Sequence, residues 1–462
     1  MSVGFGFSLP ALAQYGGGGN NPFGQLGPTL DLSFAGTVTD TGDPNGYTLN
    51  TNFIAPQYQV AADYTIWETN VGLVSKTFGD IITFTRASSA TFTGSNGLIQ
   101  SATTNTPRFD YDPVTLAAKG LLIEEQRVNL LTYSEQLDNA AWSLTASAVT
   151  ISPDATTSPD GTVNADKIVS TVATSYGPRT PNFTGTAAAY TISVYAKAAG
   201  FNYVKLVWSS SLNATDYAVF NLSTGTVTGG VYTSATISNQ GNGWYRCTLT
   251  STLAAATSYG SVWMSDGTLT RSSGVAGDGT SGIFAWGAQV ELGAFATSYI
   301  PTVASQVTRS ADVASVNTLS PWYNATEGTL YASVSGFSVG PISSALASIT
   351  DNPTASNWIL ISGLSTTAAG VVSGGASQAN LTSLPSVSSG GSVAIAYKAN
   401  DFAAVVNGGT VATDVSGSVP SSVSVLRIGG FGSNPGPLNG HLRRITYYPR
   451  RLSNAELQAI TA

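Results

Sequence analysis

From about residue 30 onward, apolar and polar residues alternate in short runs broken by Gly, Asn, Asp and Pro, the pattern of β-strands that bury one face. Tyr190-Thr191-Ile192-Ser193-Val194-Tyr195-Ala196-Lys197 alternates in this way, as does Phe201-Asn202-Tyr203-Val204-Lys205-Leu206-Val207-Trp208. The run from Gly282 to Glu291 is almost wholly apolar and predicts a central strand covered on both faces. Further strands are expected over Asp80 to Arg86, Ser392 to Lys398, Asp401 to Val406 and Leu442 to Tyr448, with Asn407-Gly408-Gly409 as a hairpin turn. Thr106 to Pro113 contains two prolines and is expected to be an extended excursion, not a central strand. A short helix closes the chain, where Ser453 and Glu456 have the spacing of a capping box.

These elements predict an all-β chain in four parts: an extended arm over residues 1–29, a small β-rich base over 30–127, a jelly-roll sandwich over 128–301 and a second sandwich over 302–462 with its short C-terminal helix. The length of 462 residues suits several domains, and 42% hydrophobic content is ample for their cores. Charged residues are only 9%, so Ser, Thr, Asn, Gly and Ala must cover much of the surface. Net charge is −7 and Lys and Arg do not cluster before the last twenty-odd residues, which argues against nucleic acid as a partner. Eighteen consecutive apolar residues occur nowhere, so no membrane insertion is expected.

Cys247 is the only cysteine and His441 the only histidine. An intrachain disulfide framework and a two-histidine zinc site within one chain are therefore excluded, and Cys247 is expected to fill the core. At the N-terminus, Ala11-Leu12-Ala13 looks like a signal-peptide cleavage site, but no Lys or Arg precedes Lys76 and Gly4, Gly6 and Pro10 interrupt the apolar segment. The segment reads better as an arm that docks into a partner through Phe5, Phe7, Leu9, Leu12 and Tyr15, with Gly16 to Gly19 as a hinge. The alternative is an arm tucked against its own chain.

Two stretches resemble known families. Gly440 to Leu457 resembles the closing strand and helix of laminin-G-like, concanavalin-type sandwiches, with Gly440, Leu442, Ile445, Tyr448, Leu452, Ser453 and Glu456 in register and a departure at Arg443 and Arg444. Between about 80 and 310, the blocks Phe84 to Thr91, Asn105 to Tyr111, Gly120 to Leu130, Trp286 to Glu291 and Thr297 to Thr302 are similar to tailed-bacteriophage tail-fibre and virion fibre proteins. The module these blocks bracket resembles carbohydrate-binding jelly rolls. The resemblance implies a homotrimeric virion protein, anchored to other virion proteins by the N-terminal arm and presenting lectin-like domains to host-surface glycans. A purely structural capsid-decoration, collar or tail protein without a ligand is the main alternative, and a polysaccharide depolymerase a further one.

Glycan binding needs aromatic faces beside amides and hydroxyls, and Tyr203, Trp208, Tyr217 and Trp263 are the candidates in the central strands, with Tyr232 nearby. Core filling is the competing role for each ring, and is preferred for Trp286, Trp142 and Tyr245. A depolymerase would need two carboxylates facing across a cleft. Glu124 and Glu125 point to opposite sides of a strand and are expected instead to pair with Arg108 or Arg127, so no catalytic residue is assigned. The oxygen-rich loop Asp154 to Asp166 offers Asp154, Asp160 and Asp166 as calcium ligands, yet Pro159-Asp160-Gly161 is also a plain turn signal and the spacing is not that of an EF-hand. The turn is the preferred reading, and no cofactor is expected. Arg443, Arg444, Arg450 and Arg451 either meet an acidic partner or guard a sheet edge.

Overall fold

The computed structural model describes residues 30–35, 64–68, 72–144, 148–171, 174–208, 216–338, 345–352, 354–363, 367–420, 422–431 and 438–462. The proposed docking residues Phe5, Phe7, Leu9, Leu12 and Tyr15 lie outside them. The described chain is all-β with short helices at Phe78–Ile81 and Asn454–Thr461. Ser453 and Glu456 do form the reciprocal capping box of the terminal helix.

Two sandwiches account for most strands. In the central one, a six-stranded sheet runs in the order Val149–Thr157, Val163–Ser170, Gly282–Leu292, Ala188–Ala199, Tyr245–Leu253, Ser234–Asn239. It faces a four-stranded sheet in the order Thr226–Val231, Tyr217–Asn221, Tyr203–Trp208, Gly260–Ser265. Alternation along each strand sends Ile192, Val194, Val204, Leu206, Leu249 and Val290 into a shared core, with Cys247 among them as a fully buried free thiol. The apolar Gly282–Leu292 strand is indeed central, paired on both sides.

The base does not fold as a separate unit. Leu30–Ser33 pairs with Gly440–Tyr448, Thr83–Thr85 pairs with Val313–Val316, and Ala118–Ile123 pairs with Gly440–Tyr448. Strands from 30–127 thus complete both sheets of the C-terminal sandwich, and their side chains Leu30, Leu32, Phe84, Leu121 and Ile123 share one core with Leu330, Ile395, Ile445 and Tyr447. The reason is that a short strand with one apolar face cannot bury it alone. The central sandwich is consequently an insertion: the chain leaves the outer sandwich through Arg127–Asn129 and returns through Val307–Arg309, and these two segments pair antiparallel.

Two local expectations change. Asp80 to Arg86 is not one strand, because Asp80 Oδ2 accepts from the Thr77 amide (2.9 Å) and hydroxyl (2.7 Å), and this cap winds Phe78–Ile81 into a helical turn before the strand Thr83–Thr85. Within Thr106 to Pro113, residues Phe109–Tyr111 do form a strand, in a hairpin with Ala118–Ile123. Both prolines lie outside the paired residues. Gly120 lets this hairpin dock on the Gly440–Tyr448 strand: its φ is +112°, and a Cβ there would sit 2.1 Å from the Leu442 carbonyl oxygen.

Candidate functional site

The hairpin carries the charge of the candidate site. Arg108, Asp110 and Asp112 occupy alternate positions and so share one side of the strand, while Phe109 on the other side packs edge-on to Phe78, with ring centroids 5.8 Å apart. The charged row runs from a dry interior outward: Arg108 is 0% exposed, Asp110 7%, and Asp112 is half-buried.

At the inner end lies a buried ionic cluster. Asp312 accepts from Arg86 Nη1 at 3.0 Å and Arg108 Nη2 at 2.5 Å, and also from the Glu124 amide at 2.9 Å. Glu124 pairs with Arg108 at 2.8 Å and lies 3.5 Å from Arg309, while the Ser298 amide and hydroxyl each donate to it at 2.7 Å. Burial works to raise the Glu124 carboxyl, but Arg309, Arg108 and Ser298 together hold it far below the ordinary carboxylate range. Each guanidinium also reaches a carbonyl, Arg86 that of Thr103, Arg108 that of Thr91 and Arg309 that of Glu125, while Arg108 Nε and Arg309 Nε and Nη1 make no hydrogen bond. Glu125 pairs with Arg127, so both expected glutamate ion pairs are present.

The outer end opens into a cleft of ≈ 510 Å³ where three parts of the chain meet. The base supplies Phe92, Thr93, Asp110, Asp112 and Lys119; the central sandwich supplies Ser238 to Gln240, Arg246 and Thr297 to Tyr299; the C-terminal sandwich supplies Ser335 to Ser338 and Asn439 to His441. Asp110 Oδ2 contacts His441 Nε2 at 2.7 Å and lies 3.3 Å from Lys119 Nζ, and its Oδ1 accepts from the Thr93 amide at 2.6 Å. Burial alone would raise the Asp110 carboxyl; the hydrogen bond and charge of His441, the Lys119 ammonium and the Thr93 amide override it and leave the carboxyl below its usual range. Asp112 is lowered as well, since the amides of Thr115 and Val114 bond it more strongly than burial opposes. Across the cleft, Arg246 bonds the Thr297 carbonyl at 2.7 Å and the Ser193 hydroxyl at 3.0 Å, over the Tyr195 ring at 5.3 Å.

The candidate aromatic residues are divided by the four-stranded sheet. Trp208 is 0% exposed within the core against Phe183 and has no face to offer a ligand. Tyr203, Tyr217 and Trp263 project from the opposite face, where Trp263 packs at a tilt against Tyr176 and Tyr217 donates its hydroxyl to the Leu269 carbonyl. Residues 266–274 strap this face: Lys205 Nζ reaches the Thr270 and Ser273 carbonyls at 2.8 and 3.1 Å, and Arg271 bonds the Trp208 carbonyl at 2.6 Å. Tyr232 is 37% exposed, and Trp286 and Trp142 are buried as expected.

The three aspartates of the 154–166 loop are not gathered. Asp160 closes the turn on Ser158 and Thr162, and Asp166 is buried with its oxygens accepting the Leu137 and Asp154 amides, burial pushing it up to about 6. Among the described residues no group of three or more Asp, Glu, His or Cys could hold a metal ion. The closing arginines are also separated: Arg444 pairs with Asp31, Arg450 with Glu456 and Arg451 with Asp401, while Arg443 has no acidic partner among the described residues. Sequence reasoning missed Asp110, Lys119 and His441 as a group. The signal was present in Arg108, Asp110 and Asp112 at alternate positions, but the prolines drew the reading toward a loop.

No protein-family model matches this chain, and no curated protein sequence matches it. Among solved structures, the CBM40 of the Ruminococcus gnavus IT-sialidase, bound to alpha2,3 sialyllactose, is similar at 17% identity, covering 30% of this chain and 84% of that one, with a TM-score of 0.27. Domains LG4-5 of the mouse laminin alpha1 chain are similar at 10% identity over 60% of this chain and 85% of theirs, TM-score 0.21. The CBM22-1-CBM22-2 tandem of Paenibacillus barcinonensis Xyn10C is similar at 11% identity over 72% of this chain and 99% of its own, TM-score 0.23. Similarities this distant say nothing about what this chain binds.

Proposed function

We propose that this protein is a saccharide-binding adhesin of a virion, holding its ligand in the cleft between the two sandwiches and leaving it chemically unchanged. The observation that carries the reading is the cleft itself. It is large enough for a few sugar rings, and it is lined by hydroxyls, amides and paired charges beside the half-buried rings of Phe92 and Phe337. Its carboxylates favour binding over hydrolysis. A glycosidase needs a carboxyl held protonated to serve as general acid, whereas Asp110, Asp112 and Glu124 are all lowered.

The virion setting rests on the resemblance of residues 80–310 to phage fibre proteins. In that setting, residues 1–29 dock onto other virion proteins, the chain assembles as a trimer, and repeated weak glycan contacts add to useful avidity. A glycan array probed with the full chain tests the binding reading, and retention of at least one saccharide class is the expected result. Retention of none removes it and leaves a purely structural virion role. Incubation with a bound polysaccharide should leave solution viscosity unchanged; a fall would make the protein a depolymerase. Deleting residues 1–26 should give soluble protein that is missing from assembled particles.

A further inference from the structure

The two ring nitrogens of His441 have different fates. Nε2 is engaged by Asp110, whose carboxylate, held below its usual range, can only accept. The proton of the neutral ring must then sit on Nε2, which leaves the lone pair on Nδ1. Nδ1 makes no hydrogen bond to the described residues, and it is not among the buried polar atoms that lack a partner, so solvent in the cleft reaches it. The side chain is 14% exposed. A fixed acceptor at the wall of a cleft is a receptor for a hydroxyl.

The charges around it bear on which hydroxyl compound. Lys119 faces Asp110, the two terminal nitrogens of Arg246 are bonded to the neutral acceptors Thr297 and Ser193, and the buried guanidinium groups of Arg86, Arg108 and Arg309 lie against the carboxylates of Glu124 and Asp312. An anionic sugar would meet Asp110 and Asp112 on the hairpin, while the terminal nitrogens of Arg246 across the cleft are already bonded to protein acceptors. We infer that the cleft takes a neutral saccharide, one hydroxyl of which donates to His441 Nδ1 while Asp110 holds the ring as a positioning residue. This deepens the adhesin reading and rests on it.

A pH dependence follows from the geometry. The titratable groups facing His441 are Asp110 from the 109–111 strand, Lys119 from the partner strand of the hairpin and Glu124 just beyond it. The strand on its other side offers Gly336 at the paired position. Burial pushes the imidazole below its ordinary value and the Asp110 hydrogen bond opposes, so the ring is neutral at pH 7. When it protonates, Nδ1 becomes a donor and the acceptor is lost.

Because His441 is the only histidine, imidazole NMR of the full chain reports on it alone. The ring should be found as the Nε2–H tautomer, with the Nδ1 resonance shifted by a bound neutral oligosaccharide. An array of neutral oligosaccharides and their sialylated and sulfated counterparts supplies that probe, and neutral forms should be retained over acidic ones. Affinity measured one unit below the NMR titration midpoint should be about fivefold weaker than one unit above it. His441→Gln keeps an acceptor that does not titrate, so it should weaken binding a few-fold at neutral pH and abolish the pH response. Three results overturn the inference and leave the adhesin reading standing: glycan binding indifferent to the His441 titration, preference for the acidic forms, or an Nδ1–H tautomer in the free protein. Failure to retain any glycan overturns both.

Discussion

The hairpin of residues 109–123 joins two groups of charge that differ mainly in access to water. At its inner end Arg86, Arg108, Arg309, Asp312 and Glu124 are buried almost completely, and their ion pairs tie the base, the end of the central sandwich and the returning chain together. At its outer end Asp110, Lys119 and His441 meet at comparable distances, but Lys119 is 37% exposed and the imidazole lines a cleft. Ions taken fully out of water are held by their partners or not at all, so the inner cluster can only be structural. The outer one keeps an unused lone pair and is open to solvent, and the proposed binding site rests on that difference.

If the contrast is right, the largest effect belongs to Asp312. Asp312→Ala strands the Arg86 and Arg108 guanidinium groups and the Glu124 amide in the interior, and removing one partner of a buried pair costs about 3–5 kcal/mol. Denaturant unfolding followed by tryptophan fluorescence should show a loss of that size, and a change below about 1 kcal/mol would mean that water reaches the cluster. Acid provides the same test without mutation. The folded carboxyl of Glu124 lies far below its unfolded value of 4.5, so the native state binds fewer protons. Its contribution is present above pH 4.5 and is lost as pH falls below that, a loss that Glu124→Gln should flatten.

Asp110→Asn is the matching change at the outer end, and its main effect is chemical. With the Asn carbonyl turned toward the Thr93 amide, its amino group faces His441 Nε2, which must then accept. The imidazole proton moves to Nδ1 and the ligand acceptor disappears. Stability should fall by only about 1 kcal/mol, because water reaches Lys119 and the cleft. NMR of the single histidine should record the change of tautomer. A loss of stability matching that of Asp312→Ala would erase the distinction between the two clusters.

What was legible in the sequence follows the same division between local and distant. Strand pattern placed Trp286 and Cys247 inside, the preference of large aromatics for cores placed Trp142 there, and the Ser453 and Glu456 spacing announced the helix cap. The pairing of Glu124 and Glu125 with arginines was also readable, because those arginines lie close along the chain. The partners that define the cleft and the buried cluster do not: His441 reaches Asp110 across 331 positions and Asp312 reaches Arg108 across 204. A period of two says which face of a strand is buried but not which strand lies beside it. For the same reason the base was read as separate, although its strands complete sheets whose other members lie beyond residue 302. Trp208 was a candidate ligand platform only because neither face of its strand is polar enough to mark the outside; Lys205, the one charge there, is itself covered.

Lys205 supplies the smallest and most selective test, since it is a buried charge answered by neutral acceptors. Its ammonium is 0% exposed and is held by the Thr270 and Ser273 carbonyls and the Ser273 hydroxyl of the 266–274 strap. Burial lowers it to about 8, with Asp266 opposing. Unlike Glu124 it is a base lowered on folding, so between about pH 8 and its unfolded value of 10.5 the unfolded chain binds more protons and stability rises with pH. Lys205→Met should remove that rise. It should also free the strap, whose exposed carbonyls can turn to water, and amide exchange over residues 266–274 should quicken by about tenfold with the core strands unchanged. If exchange instead quickens throughout the central sandwich, then Lys205 behaves like Asp312, and burial alone, without an opposite charge, is enough to make an ion structural.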